Sequence, residues 1–195
     1  MQNTGCRPWS DQELTRIVNA CRGRYALRDR ALVIVGAYTG FRVGELLAMT
    51  LESVWNGTEV LSSITVRARN MKGRKYGRTL PLHDRAKEAI KDWVLAMRAM
   101  GMVSPRQPLF PRQRRHKPMT RHQARRILLA LATRAGVSTE RVATHTLRKT
   151  FARRLWDSPL VAKDPARMAR LLGHVNWSNT LRYLQFTDLE AAVLA

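Results

Sequence analysis

ATHTLRKTFARRLW, residues 143–156, reads as a helix with chemistry on one side. Leu147, Phe151 and Leu155 recur every four residues and form an apolar stripe for a core. His145 and Arg148 are three residues apart, so they share a neighbouring face and can meet one target. Downstream, Ala166 to Leu172 makes a short helix that stops at Gly173, a residue suited to the left-handed position after a helix end. That stop leaves His174 at an edge. Ser178 is placed to cap one more short helix, which carries Tyr183. His, Arg, His and Tyr with no nearby carboxylate point to chemistry on an anion. An arginine holds two phosphate oxygens at once, imidazoles donate to oxygens or move a proton, and a tyrosine can be the nucleophile.

Any one of these residues alone reads more simply as a surface or core side chain. The series is specific: H-x-x-R, then L-G-H, then a tyrosine nine residues after that histidine. It resembles the tyrosine recombinase (phage integrase) family. The resemblance implies an upstream arginine in an R-x-G-E-like setting and a lysine in a β-turn. TGFRVGELLAMT, residues 39–50, supplies Arg42, with Glu45 in the acidic place. By itself Arg42 reads as a solvated arginine weakly paired with Glu45. Behind an apolar helix, though, it is costly to desolvate unless it has an anion to meet. Residues 63–69 (SITVRAR) alternate as a half-buried strand, 71–75 read as a turn, and 76–82 (YGRTLPL) as the returning strand. Lys72, just before Gly73, matches the family's lysine position best; Lys75 is the alternative. A basic hairpin that merely holds phosphates is the plainer reading.

The 195 residues suffice for one domain with a real core, and 45% of them are hydrophobic, which argues for a folded chain. Lys and Arg number 35 against 14 Asp and Glu, a formal charge of +21. Such an excess favours a polyanion, with nucleic acid ahead of a membrane surface because no single amphipathic helix collects the charge. It also implies DNA binding that weakens steeply with salt. Cys6 and Cys21 have no metal-ligand spacing and suggest no disulfide scaffold. The apolar run from Ala31 to Phe41 is too short to span a bilayer, and the N-terminal residues lack signal-peptide regions. A reducing cytoplasm fits, with association to the nucleoid.

Residues 1–9 read as a flexible lead-in. Ser10 and Glu13 form a capping box for a helix over 11–22, followed by an apolar helix from Leu27 to Tyr38 and a third beginning at Phe41. Residues 83–100 form a long amphipathic helix, with His83 at its start. Residues 105–118 form a linker whose basic run includes Arg114, Arg115 and Lys117, either solvated or touching phosphates. Thr120 caps a helix to Ala135, with Arg121 and Arg125 turned outward towards DNA or water.

The resemblance covers about residues 10–187. It implies an α+β fold, mainly α, with a small antiparallel β-sheet or hairpin. Many members carry a separate N-terminal domain; this chain begins too near the catalytic domain to include one, so residues 10–195 are expected to form the catalytic domain alone. Tyr183 would attack a backbone phosphate and form a 3′-phosphotyrosyl bond without metal, cofactor or ATP. In the implied roles, Arg42 and Arg148 hold the non-bridging oxygens and His145 takes the phenolic proton. Lys72 protonates the leaving 5′-oxygen, His174 bonds a phosphate oxygen, and Glu45 orients its basic neighbours. Arg67, Arg69, Arg74, Lys75, Arg78, Arg114, Arg115, Lys117, Arg121 and Arg125 are expected along double-stranded DNA. A homotetramer on paired sites, with accessory DNA-bending proteins, is the implied assembly, and the segment after Tyr183 packs on its own domain or on a neighbour. Type IB topoisomerase chemistry, or DNA binding without turnover, remain the alternatives.

Overall fold

The computed structural model describes residues 5–66, 77–112, 117–161 and 163–173. The Lys72–Lys75 turn, Arg67, Arg69, Arg74, Arg114, Arg115, His174, the helix from Ser178, Tyr183 and the C-terminal segment lie outside them.

Seven helices and one antiparallel strand pair are described. They are α1 (Asp11–Asn19), α2 (Ala26–Thr39), α3 (Val43–Leu47), β1 (Ser63–Val66), β2 (Arg78–Pro81), α4 (Asp84–Ala99), α5 (Arg121–Arg134), α6 (His145–Asp157) and α7 (Pro165–Leu172), with a 3₁₀ turn at Leu51–Ser53. The α1 start is the expected reciprocal cap. Ser10 accepts from the Glu13 N–H at 3.1 Å, and the Glu13 carboxylate accepts from the Ser10 N–H at 2.9 Å. Thr120 and His83 cap α5 and α4 as their positions suggested.

The central element is α2. Every residue from Ala31 to Thr39 is buried, because the helix is apolar on all sides and has other helices around it. It packs against α4 on one side and α6 on the other, with α1 and α3 at its ends. Strand β1 pairs β2 with Ile64 opposite Leu80 and Val66 opposite Arg78. Thr65 and Thr79 face outward and share a hydroxyl–hydroxyl bond of 2.7 Å.

The stripe on α6 divides between two clusters. Leu147 joins the main core with α2 and α4, while Leu155 and Trp156 join Met168 and Leu172 of α7 in a smaller one, with Phe151 packed against it. Helices α2 and α6 meet at Gly36, where an added Cβ would lie 2.6 Å from Leu147 Cδ1 and 3.0 Å from its Cβ. Gly36→Ala would gain about 1 kcal/mol of helix propensity. The contact with Leu147 Cβ cannot be relieved by rotating a side-chain tip, and overpacking of this kind costs about 1–3 kcal/mol. The expected result is a protein destabilised by about 1 kcal/mol, read as a lower midpoint in urea. An unchanged or higher midpoint would mean the helices separate freely.

The lead-in differs from its expectation over residues 5–9. Trp9 is 1% exposed in the main core, and its backbone N–H donates to Thr150 Oγ1 at 2.9 Å. Arg7 makes a two-pronged contact with Glu13 at 2.9 Å, and its own N–H donates to the Arg141 carbonyl. Lys149 Nζ donates to the Cys6 carbonyl at 2.6 Å. A buried tryptophan and these hydrogen bonds fasten the segment along α6. The sequence hides this because one indole in a polar stretch has no periodicity.

Candidate active site

Three helices begin close together, and each begins with a basic residue. Arg42 is the N-cap of α3, Arg121 opens α5 and His145 opens α6. The first turn of a helix carries partial positive charge and ordinarily favours acidic side chains. Here neither α5 nor α6 has an acidic residue in its first turn. Basic residues at helix starts that lack an acidic partner raise the local potential.

Arg42 is half-buried, and its Nη1 donates to Glu45 Oε1 at 3.0 Å. Glu45 is 2% exposed and also accepts the Arg42 N–H through Oε2 at 2.8 Å. The expected pairing is therefore present, and the same carboxylate caps α3. One buried glutamate fixes both the helix start and the arginine side chain.

Arg148 is 1% exposed. Its Nη1 donates to the Gly40 carbonyl at 2.5 Å and its Nη2 to the Leu172 carbonyl at 2.7 Å. Gly40 is the left-handed C-cap of α2, and Leu172 is the last residue of α7, so both acceptors sit at the negative ends of helices. These bonds hold the guanidinium between α2, α6 and α7, two residues from Arg42 along the chain at Gly40 and one residue from Gly173.

His145 is exposed, one helical turn before Arg148. Loss of hydration, followed by the positive charges of Arg148, Arg42, Lys149 and Arg121, holds its imidazole below the usual range. The ring is therefore a neutral acceptor at physiological pH.

Arg121 lies against α3: a Cβ on Gly44 would be 2.9 Å from its Nη2. It makes no hydrogen bond or ion pair that ties it down among the described residues, and it is exposed, as are Arg125 and Lys117. Sequence reading placed Arg121 on an outward face of α5 but missed its closeness to Arg42. The only signal was the glycine in R-x-G-E.

Arg78 departs from expectation. Grouped by sequence with the DNA-contacting surface, it is 8% exposed and points inward. The register explains this, since Arg78 sits opposite the buried Val66 and must share its face. Its Nη1 donates to the Leu172 carbonyl at 2.8 Å, and its Nη2 to the Thr39 carbonyl at 3.3 Å. Both terminal nitrogens of Arg78 are bound to main-chain carbonyls on the inner face of the strand pair, not turned towards solvent.

Among the described residues no three His, Cys, Asp or Glu side chains are grouped as a metal site would need, and no helix is long and apolar enough to cross a membrane.

A mostly helical domain thus sets Arg42, with its buried partner Glu45, beside the start of α6 that carries His145 and Arg148. Residues 9–190 match the phage integrase family. The probable integrase/recombinase YoeC of Bacillus subtilis is 31% identical over 157 residues, covering 80% of this chain and 77% of that protein. The tyrosine recombinase XerD of Corynebacterium glutamicum is 32% identical over 161 residues, covering 83% of this chain and 49% of the relative. Among solved structures, XerA recombinase superposes with a TM-score of 0.75 at 26% identity, over 98% of this chain and 65% of that one. A lambda integrase dimer bound to a COC′ core site gives 0.67 at 20% identity, over 94% of this chain and 49% of that one, a likeness of fold. The chain belongs to the phage integrase family of tyrosine recombinases, enzymes of site-specific DNA recombination by class. It spans about half the length of the XerD relative.

Proposed function

We propose that this chain carries the strand-cutting and rejoining centre of a site-specific recombinase acting on double-stranded DNA. The observation that carries the reading is the gathering of basic groups at the starts of α3, α5 and α6, where Glu45 answers Arg42 but neither α5 nor α6 has an acidic residue in its first turn. In the proposed reaction the Tyr183 oxygen attacks a backbone phosphorus and the bond from phosphorus to the 5′-oxygen breaks. His145, kept neutral by its surroundings, accepts the phenolic proton, and a lysine of the 71–75 turn, Lys72 in preference to Lys75, gives a proton to the leaving oxygen. Arg42 and Arg148 oppose the charge that grows on the non-bridging oxygens, and His174 adds a hydrogen bond there. The 3′-phosphotyrosyl bond conserves the free energy of the cleaved diester, so a second 5′-hydroxyl reverses the step without ATP or a metal ion.

Residues 10–195 would form the catalytic domain, with Arg121, Arg125 and Lys117 against neighbouring phosphates. Strand exchange would need four copies on paired sites, with DNA-bending proteins assisting where the sites are long. The test uses nicked suicide DNA in EDTA with the wild-type protein and Tyr183→Phe. A covalent adduct lost in the variant is expected. Relaxation of supercoils without exchange would point to topoisomerase-like use of the same centre, and DNA binding without any adduct would overturn the reading.

The depressed His145 pKa gives a pH dependence with a definite sign. A bound phosphate replaces repulsion by attraction and raises the imidazole pKa, so the complex holds more protons than the free protein. Binding therefore strengthens as pH falls from about 6.5, the ordinary imidazole value, towards the depressed one. Titration calorimetry in two buffers of different ionisation enthalpy should register proton uptake near pH 6, absent in His145→Gln. Equal heats after buffer correction, in both proteins, would contradict it.

A further inference from the structure

Two buried guanidiniums converge on one carbonyl oxygen. Arg148 Nη2 and Arg78 Nη1 donate to Leu172 O at 2.7 and 2.8 Å, and the pair reaches back to adjacent carbonyls of α2, Gly40 O for Arg148 and Thr39 O for Arg78. Arg78 also stands over the Phe41 ring, 5.3 Å from its centroid, beside Arg42 in the chain. Leu172 directly precedes Gly173 and His174, and Arg78 opens β2, six residues after Lys72 in the chain. One side chain thus fastens the end of α7, the end of α2 and the start of β2 to each other, and each leads within a few residues to a group of the proposed centre.

Burying two like charges so close together is unfavourable, and a purely structural anchor could have been apolar. A leucine or methionine at position 78 would fill the space opposite Val66 without that cost. The charge does something an apolar side chain cannot: by sharing the Leu172 oxygen it restricts where the Arg148 guanidinium can sit.

We propose that Arg78 is a positioning residue for phosphate transfer, acting through Arg148 by way of the shared Leu172 carbonyl; this rests on the recombinase reading above. It touches no DNA. It limits where the Arg148 guanidinium can sit and ties β2 to the end of α7.

The test compares wild type with Arg78→Lys and Arg78→Met. Lysine keeps the charge, but one ammonium does not reproduce the planar fork that spans the Thr39 and Leu172 carbonyls. Four quantities are read: thermal midpoint, DNA Kd, adduct formation at saturating DNA, and the Arg148 Nε–Hε resonance in ¹⁵N-arginine-labelled protein. In the lysine variant Kd should stay within about threefold while adduct formation falls about 100-fold, the scale of a small misplacement at a reacting centre. The Arg148 resonance should move in both variants, and the methionine variant should be the slower. A lysine variant that cleaves at the wild-type rate with an unmoved Arg148 resonance overturns the proposal. If wild type itself gives no adduct, the recombinase reading has failed instead; the Arg148 resonance needs no DNA and still decides whether Arg78 sets that side chain.

Discussion

Arg148→Ala is expected to lower adduct formation by about 10⁴-fold, within the range seen when an arginine facing a transferring phosphoryl group is lost. Two effects combine. The growing charge on the phosphate loses a fixed, desolvated cation, and no solvent molecule arrives already oriented to replace it. The Gly40 carbonyl also loses its donor inside the fold, while the Leu172 carbonyl keeps the one from Arg78. Unsatisfied buried acceptors cost about 1–3 kcal/mol each, and removing a buried charge returns part of that. The net expectation is a loss of about 1–3 kcal/mol of stability, measured by urea unfolding beside single-turnover cleavage. Arg148→Lys should recover more stability than activity. Cleavage by the alanine variant within tenfold of wild type would remove Arg148 from the reaction.

Gly40→Ala should be the most damaging single methyl group near the site. Gly40 closes α2 at φ 62°, where a side chain is strained by about 1–3 kcal/mol. The new Cβ would also intrude on the Phe151 ring, coming to 2.9 Å from both Cε1 and Cγ. Overpacking adds about 1–3 kcal/mol, and no helix propensity is gained beyond the helix end. A total of about 3–5 kcal/mol is expected from these two sources. The Gly40 carbonyl is also an acceptor for Arg148, so cleavage should fall further than the unfolded fraction explains. Pairing the change with Phe151→Leu should restore the steric part and leave the backbone part. Full additivity of the two substitutions would mean that the ring and the glycine do not meet.

Part of the site was legible in short, local spacings, while Lys72, His174 and Tyr183 lie outside the described residues. H-x-x-R puts two side chains on one helical face, Arg42 and Glu45 are a reciprocal cap, and Ser10 and Thr120 announce their helices. What escaped depends on contacts between distant segments. Arg78 was grouped with surface cations because its orientation follows from pairing with Val66, which no single strand reveals. Trp9 belongs to the core only through Thr150, far along the chain. The closeness of Arg121 to Arg42 follows from how α5 abuts α3. The helix boundaries moved by a residue or a few where capping groups, rather than apolar periodicity, end the element: α1 stops at Asn19 and α3 begins at Val43.

The division of apolar residues into a large cluster and a small one has a mechanical meaning. Helix α7 and the far half of α6 bury their greasy surfaces against each other, and the end of α7 is riveted to α2 and β2 by two cations gripping a single oxygen. A joint of that kind opens at little cost to the larger cluster and closes again in one position, as a latch does. Sub-global opening of such units takes only a fraction of the energy needed to unfold a domain. Helix α7 and the far half of α6 can therefore loosen as a pair while the packing around α2 holds.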